Sequence, residues 1–264
     1  MMTDEPQSAV APPLAGLQGA RALVTGGSRG IGAATALLLA ACGARVVVSY
    51  VQNREAAESV VAQARAMGSD ALAVAGDLAH PRAAARVMEE SVEALGGLDI
   101  LVGNHGIWPA ESVAISEMTL EQWRGTMEAN LDSIFHVASA GARLLADNGR
   151  MVLVSSTAAQ RGEAGHGDYA ASKGAMVSLV KSMCVELAPR GITVNSVAPG
   201  WVDTDLSASV LRTEARAAAS AGIPLGRVAT AEDVAGPIVF LCTPMARHIT
   251  GEILNVNGGS VLCG

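Results

Sequence analysis

Short runs of β-branched and aliphatic residues recur along the chain, at 22–25, 45–50, 71–75, 100–102, 151–155, 193–197 and 253–256. Each is almost continuously apolar rather than alternating, as in a strand covered on both faces. Between them lie longer, alanine-rich segments of helical length, at roughly 30–42, 54–67, 81–95, 119–146, 168–189 and 231–242. Strand and helix in regular alternation predict an α/β fold: a Rossmann-type, doubly wound parallel sheet of about seven strands with helices on both faces. No proline-rich linker, composition shift or repeat divides residues 20–260. The expected organisation is a flexible tail over 1–18 and a single domain over 19–264.

Several boundaries carry their own chemistry. Gly43 is placed to close the first helix as a C′ residue. Thr119 reads as an N-cap with Gln122 in the capping-box position, and Thr230 opens a helix with Glu232 and Asp233 where the dipole favours acids. The segment 205–222 is small, polar and alanine-rich, and reads as a mobile lid.

Composition narrows the function classes. Hydrophobic residues make up 50% of the chain and charged residues only 16%, which excludes disorder over most of its length. Aromatics are 3%, so Ala, Val, Leu and Ile must fill the core. A net charge of −7 argues against binding a phosphate backbone, so no nucleic-acid partner is expected. The longest apolar stretch, 33–44, is too short for a bilayer, and no membrane partner is expected. Asp4 and Glu5 with Pro6, Pro12 and Pro13 resemble neither a signal peptide nor an anchor. Cys42, Cys184, Cys242 and Cys263 stand far apart without a C-x-x-C, which predicts reduced thiols, no zinc site and a cytoplasmic protein.

The first strand runs into Thr25-Gly26-Gly27-Ser28-Arg29-Gly30-Ile31-Gly32 and then a helix. Glycines let the chain turn sharply and bring its backbone close to a pyrophosphate, while the helix start offers free N–H groups and a positive dipole end. Strand, glycines and helix in that order are the context a dinucleotide site requires. No G-K-[ST] follows, so this is not a nucleotide-hydrolysing loop. A site for NAD usually has an acid at the end of the second strand for the ribose 2′-hydroxyl. Here that end reads Ser49-Tyr50-Val51-Gln52-Asn53-Arg54, with no acid. Arg29 and Arg54 add positive charge, so NADP(H) is expected and NAD(H) is the less favoured cofactor. For Arg54 alone, a phosphate contact and a solvated first-turn residue are equal readings.

A second constellation is Ser155-Ser156, then Asp168-Tyr169-Ala170-Ala171-Ser172-Lys173. Tyr169 and Lys173 are four apart and share a helix face. Ser156 ends the fifth strand, at the sheet edge where open α/β folds hold ligands. The chain has only two tyrosines and two lysines, so chance makes a poor source for this spacing. Hydride transfer to a carbonyl leaves an oxygen that needs a proton. A phenol is ordinarily too weak an acid–base near neutrality, and an adjacent ammonium is expected to favour phenolate and lower its pKa by roughly one to three units. Ser156 is placed to hold the substrate oxygen. Taken alone, a Tyr–Lys pair is more often ordinary helix surface; the glycine turn tips the reading towards chemistry.

Over about residues 18–260 the chain resembles the short-chain dehydrogenase/reductases, in their single-domain branch. Thr25, Gly26, Gly30 and Gly32 match that family's T-G-x-x-x-G-x-G, and Asn130, Ser156, Tyr169 and Lys173 match its active-site set. The resemblance implies that Asn130 holds a water in a proton relay through Lys173, which also binds the nicotinamide ribose. It implies further cofactor contacts from Ser28 and Ile31 in the turn, Tyr50 and Asn53, and Asp77 with Leu78 near the adenine. Asn104 and Gly106 are implied beside the ribose, and Pro199, Gly200, Val202 and Thr204 against the nicotinamide. Two positions depart from the pattern. His105 replaces a small residue in Gly103-Asn104-His105-Gly106 and is read as structural, and Asn257 stands where Asp is frequent.

The run Ile223-Pro224-Leu225-Gly226-Arg227 and Ile249-Thr250-Gly251 resemble the 3-oxoacyl-carrier-protein reductase subgroup. The leading expectation is NADPH-dependent reduction of a ketone; oxidation of a sugar or secondary alcohol with NAD(P) is the alternative, and a cofactor sensor without turnover a remote one. Trp108 and Trp201 are expected at the edges of a cleft for a small carbonyl or alcohol substrate, with loop or subunit packing an equal reading. Residues 157–167 read as a flexible rim, with His166 a solvated loop residue. The long helices at 119–146 and 168–189 carry spare apolar surface, so a homotetramer is expected.

Overall fold

The computed structural model describes residues 16–109, 111–208, 211 and 213–262. Seven strands, β1 (Arg21–Val24), β2 (Arg45–Tyr50), β3 (Ala71–Ala75), β4 (Leu98–Gly103), β5 (Leu145–Val154), β6 (Thr193–Pro199) and β7 (Ile253–Val256), form one sheet in the order β3-β2-β1-β4-β5-β6-β7. Every pairing is parallel. The helices are α1 (Gly30–Ala41), α2 (Arg54–Ala66), α3 (Pro81–Leu95), α4 (Leu120–Met127), α5 (Ser133–Leu144), α6 (Ala158–Arg161), α7 (Gly167–Leu187), α8 (Thr213–Ala221) and α9 (Ala231–Cys242). This is the expected doubly wound fold, and the strand order reverses direction between β1 and β4, where such sheets open a ligand crevice.

The continuous apolar runs have the expected physical cause. Alternate strand residues face opposite ways. Val24, Val46, Val48 and Val102 join a core with Leu39 of α1, Val61 of α2 and Ile238 of α9. Leu23, Val47, Leu101 and Leu153 join another with Met88 of α3, Val137 of α5 and Met176 of α7. Packing is close enough that a Cβ on Gly141 of α5 would lie 2.3 Å from Leu101 Cδ2.

The structure departs from the sequence expectations in four places. Most of the tail assigned to 1–18 lies outside the described residues, but Leu17 is only 2% exposed and belongs to the core, so the domain starts before residue 19. The helix expected over 119–146 is interrupted by a π-helical turn at Glu128–Asp132 and stops at Leu144. Strand β5 takes over at once: Leu145 pairs with Leu98, and the register shifts before Arg150 meets Ile100, with Asn148 in a left-handed conformation (φ 63°). Thr119 caps α4 by accepting from Gln122 N, but the Gln122 side chain donates to Asp168 at 3.3 Å instead of closing a box. Thr230 and Asp233 do form one. Finally, the expected lid contains α8, and Leu211 packs with Ile223, Val228 and Trp201 in a small cluster of its own. Among the described residues no helix is long and apolar enough to cross a membrane.

The ends of β1 and β4 are fastened by a fork. Arg21 donates to Asp99 through Nε at 2.8 Å and Nη2 at 2.6 Å, and its backbone N–H donates to the same carboxylate at 2.9 Å. These bonds hold the Asp99 carboxyl below its ordinary pKa. A depressed carboxylate contributes stability above its unfolded pKa and loses it as the pH falls through the folded value. Asp99→Asn is therefore expected to cost about 1 kcal/mol at neutral pH, the upper range for a partly solvated pair. The gap from the parent protein should close as denaturant melts are repeated below roughly pH 4. A gap independent of pH would contradict the assignment.

Candidate active site

A cavity of about 960 Å³ opens at the carboxyl ends of the strands, over the β1–β4 switch point. The turn after β1 forms one end of it. Gly26 and Gly30 adopt positive φ (61° and 53°), and a Cβ on Gly32 would lie 2.3 Å from Gly26 O, so only glycine lets α1 start against the loop. Helix α1 has no side-chain cap and no acid in its first turn. Its unpaired N–H groups and dipole therefore suit a phosphate at the cavity wall. This is the chemistry a dinucleotide requires, and the cradle fits one.

The structure places most of the expected cofactor contacts on that wall. Ser28, Arg29 and Ile31 line it with Gly26 and Gly30, as do Tyr50 at the end of β2 and Asn53 beyond it, Asp77 and Leu78 after β3, and Asn104 and Gly106 after β4. Pro199, Gly200, Val202 and Thr204 line the far side. Two do not. Gly32 sits behind the turn as a packing residue. Arg54 lies off the wall, 79% exposed, with Nε 3.8 Å from Glu58 one turn along α2, which favours the solvated reading. Asn53 also caps α2, accepting from Ala56 N at 2.9 Å. Arg29 is the cation left at the turn, with Nη1 3.7 Å from Asp205 across the mouth.

The loop after β4 is locked by two residues. Asn104 Nδ2 donates to Thr25 O and Gly26 O at 3.1 and 3.2 Å. His105 bridges Thr25 Oγ1 at 2.7 Å through Nδ1 and Ser133 Oγ at 2.9 Å through Nε2. Burial, with the Lys173 charge nearby, holds its pKa down at about 3. The expected structural histidine is thus what the geometry shows. Asn257, the other departure, uses both ends of its amide on the C-terminal turn, accepting from Gly259 N at 2.9 Å and donating to Val261 O at 3.0 Å. An ionised aspartate has no proton for the second bond.

Tyr169 and Lys173 both lie on α7, and Ser156 follows β5; all three face the cavity. Lys173 Nζ donates to Val154 O at 2.9 Å and stands 6.0 Å from the Tyr169 ring centroid. The electrostatics differ from the expectation. Burial drives the phenol pKa up to about 12, offset by a hydrogen bond with Ser156 and reinforced by the Glu163 carboxylate. Burial also lowers the Lys173 ammonium to about 8. Loss of hydration is the largest cause of both shifts, since both groups are buried in the same wall.

Asn130 does not reach the cavity wall. It is fully buried in the π-helical turn, where its Oδ1 accepts from Ile107 N at 2.7 Å and its Nδ2 donates to Ile107 O at 3.0 Å and Ser172 Oγ at 3.2 Å. Both Nδ2 protons and one Oδ1 lone pair are thus committed to the loop after β4 and to α7. The reading of 157–167 changes too. Residues 158–161 form α6, and His166 is buried, with Nε2 3.2 Å from Pro109 O and its ring stacked on Trp108 at 4.1 Å. Sequence reasoning missed Asp168, which is fully buried and accepts from Thr126 Oγ1 at 2.7 Å and Tyr169 N at 2.8 Å, pinning the start of α7 to α4. Its place in the first turn of that helix was the available signal.

A family model described as Enoyl-(Acyl carrier protein) reductase matches residues 26–260. The chain is similar to a 3-oxoacyl-[acyl-carrier-protein] reductase of Synechocystis sp., 40% identical over 244 residues, covering 91% of this chain and 96% of that one. It is also similar to versicolorin reductase 1 of Aspergillus parasiticus, 39% identical over 256 residues, with coverage of 92% and 97%. Among solved structures, a short chain dehydrogenase from Burkholderia cenocepacia in complex with NADP superposes with a TM-score of 0.87 at 40% identity, covering 92% of this chain and 98% of that one.

The ammonium sets a testable value. In ¹³C-lysine NMR, Lys173 is expected to titrate with a midpoint near 8, with Lys181→Arg supplying the assignment. A midpoint at the ordinary value, above 10, would show that the side chain is solvated.

Proposed function

We propose, from the premise that the chain belongs to the short-chain dehydrogenase/reductase family, that it reduces a ketone to a secondary alcohol with NADPH. The substrate is a 3-oxoacyl compound or a related carbonyl. The observation that carries this reading is the meeting of Ser156, Tyr169 and Lys173 at the wall of the cavity that the glycine turn also lines. A phenol keeps its proton at neutral pH, the form that can give a proton to the oxygen of a reduced carbonyl.

Bound at the glycine turn, NADPH supplies the hydride that the carbonyl carbon receives. As the π pair of the C=O bond moves to oxygen, Tyr169 Oη gives that oxygen its proton. Ser156 Oγ steadies the same oxygen, which fixes its distance from the phenol. The phenolate left on Tyr169 then takes a proton from solvent, and the Lys173 ammonium stabilises it meanwhile. The cofactor preference is supported by the NADP in the Burkholderia structure, by the acid-free end of β2 and by Arg29 at the turn.

Tyr169→Phe is expected to lower turnover of any accepted ketone by about 10²–10⁴-fold, the usual weight of a positioned proton donor. NADPH binding, followed by fluorescence, should be kept. Turnover within tenfold of the parent would sink the proton-donor role. Arg29→Ala should narrow the preference for NADPH over NADH in kcat/KM, and an unchanged ratio would remove Arg29 from the phosphate site.

The same reading includes a homotetramer. Leu120 on α4, Phe135 on α5 and Val185 on α7 are 60%, 55% and 72% exposed, an apolar surface that a second copy would cover. Light scattering is expected to give four chains per particle; a monomer at assay concentration would refute it.

A further inference from the structure

A second cavity, of about 480 Å³, opens near the amino ends of β5 and β6, away from the cofactor wall. It is bounded by β5 just before that strand pairs with β6 at Arg150 and Thr193, by Gly191 ahead of β6, and by the segment after α9. Its lining carries Arg150, Arg247 and His248, with Asn148, and no carboxylate. The chain has 25 acidic residues against 18 lysines and arginines, so a basic pocket free of acids runs against its average surface.

Arg150 is 9% exposed and is the one buried arginine among the described residues. A buried charge is normally paired, because its lost hydration must be replaced. Here nothing on the chain replaces it. None of Arg150, Arg247 and His248 pairs with an acid among the described residues. Asp147, close by in sequence, is bonded to Arg190 at 3.0 Å. The Cys242 thiol near Arg150 supplies no charge, since burial pushes its pKa up to about 12.

The guanidinium is nonetheless held in place. Its Nη1 donates to Asn148 O at 2.5 Å and to Gly149 O at 3.0 Å. Its Nε is sealed inside the protein and faces no ligand. Nη2 is neither sealed nor bonded among the described residues, so it is the edge that Arg150 presents to the cavity. Arg247 and His248 are exposed at the mouth, and the Arg247 side chain has one long bond, from Nη1 to Pro244 O at 3.4 Å. One fixed guanidinium edge and one free guanidinium offer two positive charges and several N–H donors. The donors come from two separate segments of chain, which suits a tetrahedral dianion better than a planar carboxylate.

We propose that this pocket binds a phosphate group, held by Arg150 Nη2 from below and by Arg247 and His248 at the mouth. The site is separate from the cofactor cavity and does not depend on the reductase reading.

The test is calorimetry on the full-length protein loaded with NADP⁺, which fills the phosphate cradle at the glycine turn. Inorganic phosphate, glycerol phosphate and succinate are titrated in turn at matched ionic strength. One phosphate per chain is expected, with a Kd in the millimolar range or tighter. Arg247→Gln, an exposed position, should weaken it about tenfold, the low end for a charge-assisted hydrogen bond. Arg150→Met should weaken it at least as much, and thermal melts check that each variant folds. Arg82→Gln, exposed on α3 and outside the pocket, is the control for loss of a positive charge and should bind as the parent does. Phosphate should also raise the Tm of the parent more than that of Arg247→Gln.

The two phosphate ligands separate the sources: tighter glycerol phosphate marks a phosphate monoester as the occupant, tighter inorganic phosphate the free ion, and either supports the site. Succinate binding as tightly as both overturns the preference for phosphate. No saturable binding, equal binding in the parent and Arg247→Gln, or an equal loss in Arg82→Gln overturns the proposal. If NADP⁺ does not bind, the cofactor reading fails, and the comparison of parent with Arg247→Gln on the unloaded protein still decides this one.

Discussion

The site depends on one buried amide. Asn130 holds the N–H and the C=O of Ile107, and its remaining N–H reaches Ser172 on α7. Three bonds thus join the π-helical turn, the loop after β4 and the helix that carries Tyr169 and Lys173. The Asn130 amide and Ser172 Oγ are buried, so breaking the bond between them leaves a buried group unpaired, at a cost of about 1–3 kcal/mol. The loop is close-packed as well. A Cβ at Gly106 would lie 3.0 Å from Asn130 Oδ1 and 3.3 Å from Lys173 Nζ. The position of Trp108, the depth of Lys173 and the shape of the cavity floor all follow from this clasp.

The second constraint is the competition between burial and charge around Tyr169. Placing a phenol and an ammonium in one wall raises the first pKa and lowers the second, to about 12 and about 8. Both shifts favour the neutral forms. The protein therefore stores a proton on the phenol rather than a negative charge. Arg161 pairs with Glu163 at 2.7 Å, which limits how strongly that carboxylate acts on the phenol.

Much of this was legible in the sequence because it rests on local rules. The seven apolar runs are the seven strands, since parallel strands are buried on both faces and cannot alternate. The glycine turn was legible because φ and close approach exclude other residues at Gly26 and Gly32. What was not legible is set by long-range packing. The π-helical turn leaves no period of its own in 119–146, and the start of β5 at Leu145 depends on a partner, Leu98, far away in sequence. His166 looked like a loop histidine because its partners, Trp108 and Pro109, come from another loop. The phenol's shift was misjudged for the same reason: helix spacing shows that Lys173 is near Tyr169, but not how deeply both are buried.

His105 shows how a departure from a family pattern is absorbed. Ser133 Oγ donates to Ala129 O at 2.7 Å, so toward His105 it offers a lone pair, and Nε2 must carry the proton. Nδ1 is then the acceptor, and the Thr25 hydroxyl turns to it at 2.7 Å. Val102 O loses nothing, since it already accepts from Thr25 N at 2.9 Å. One tautomer satisfies every group, and protonation would place a second charge near Lys173. With its pKa held down at about 3, the imidazole is neutral at neutral pH. It borders the cavity as a strut between the end of β1 and the π-helical turn, and it has no proton to lend at neutral pH.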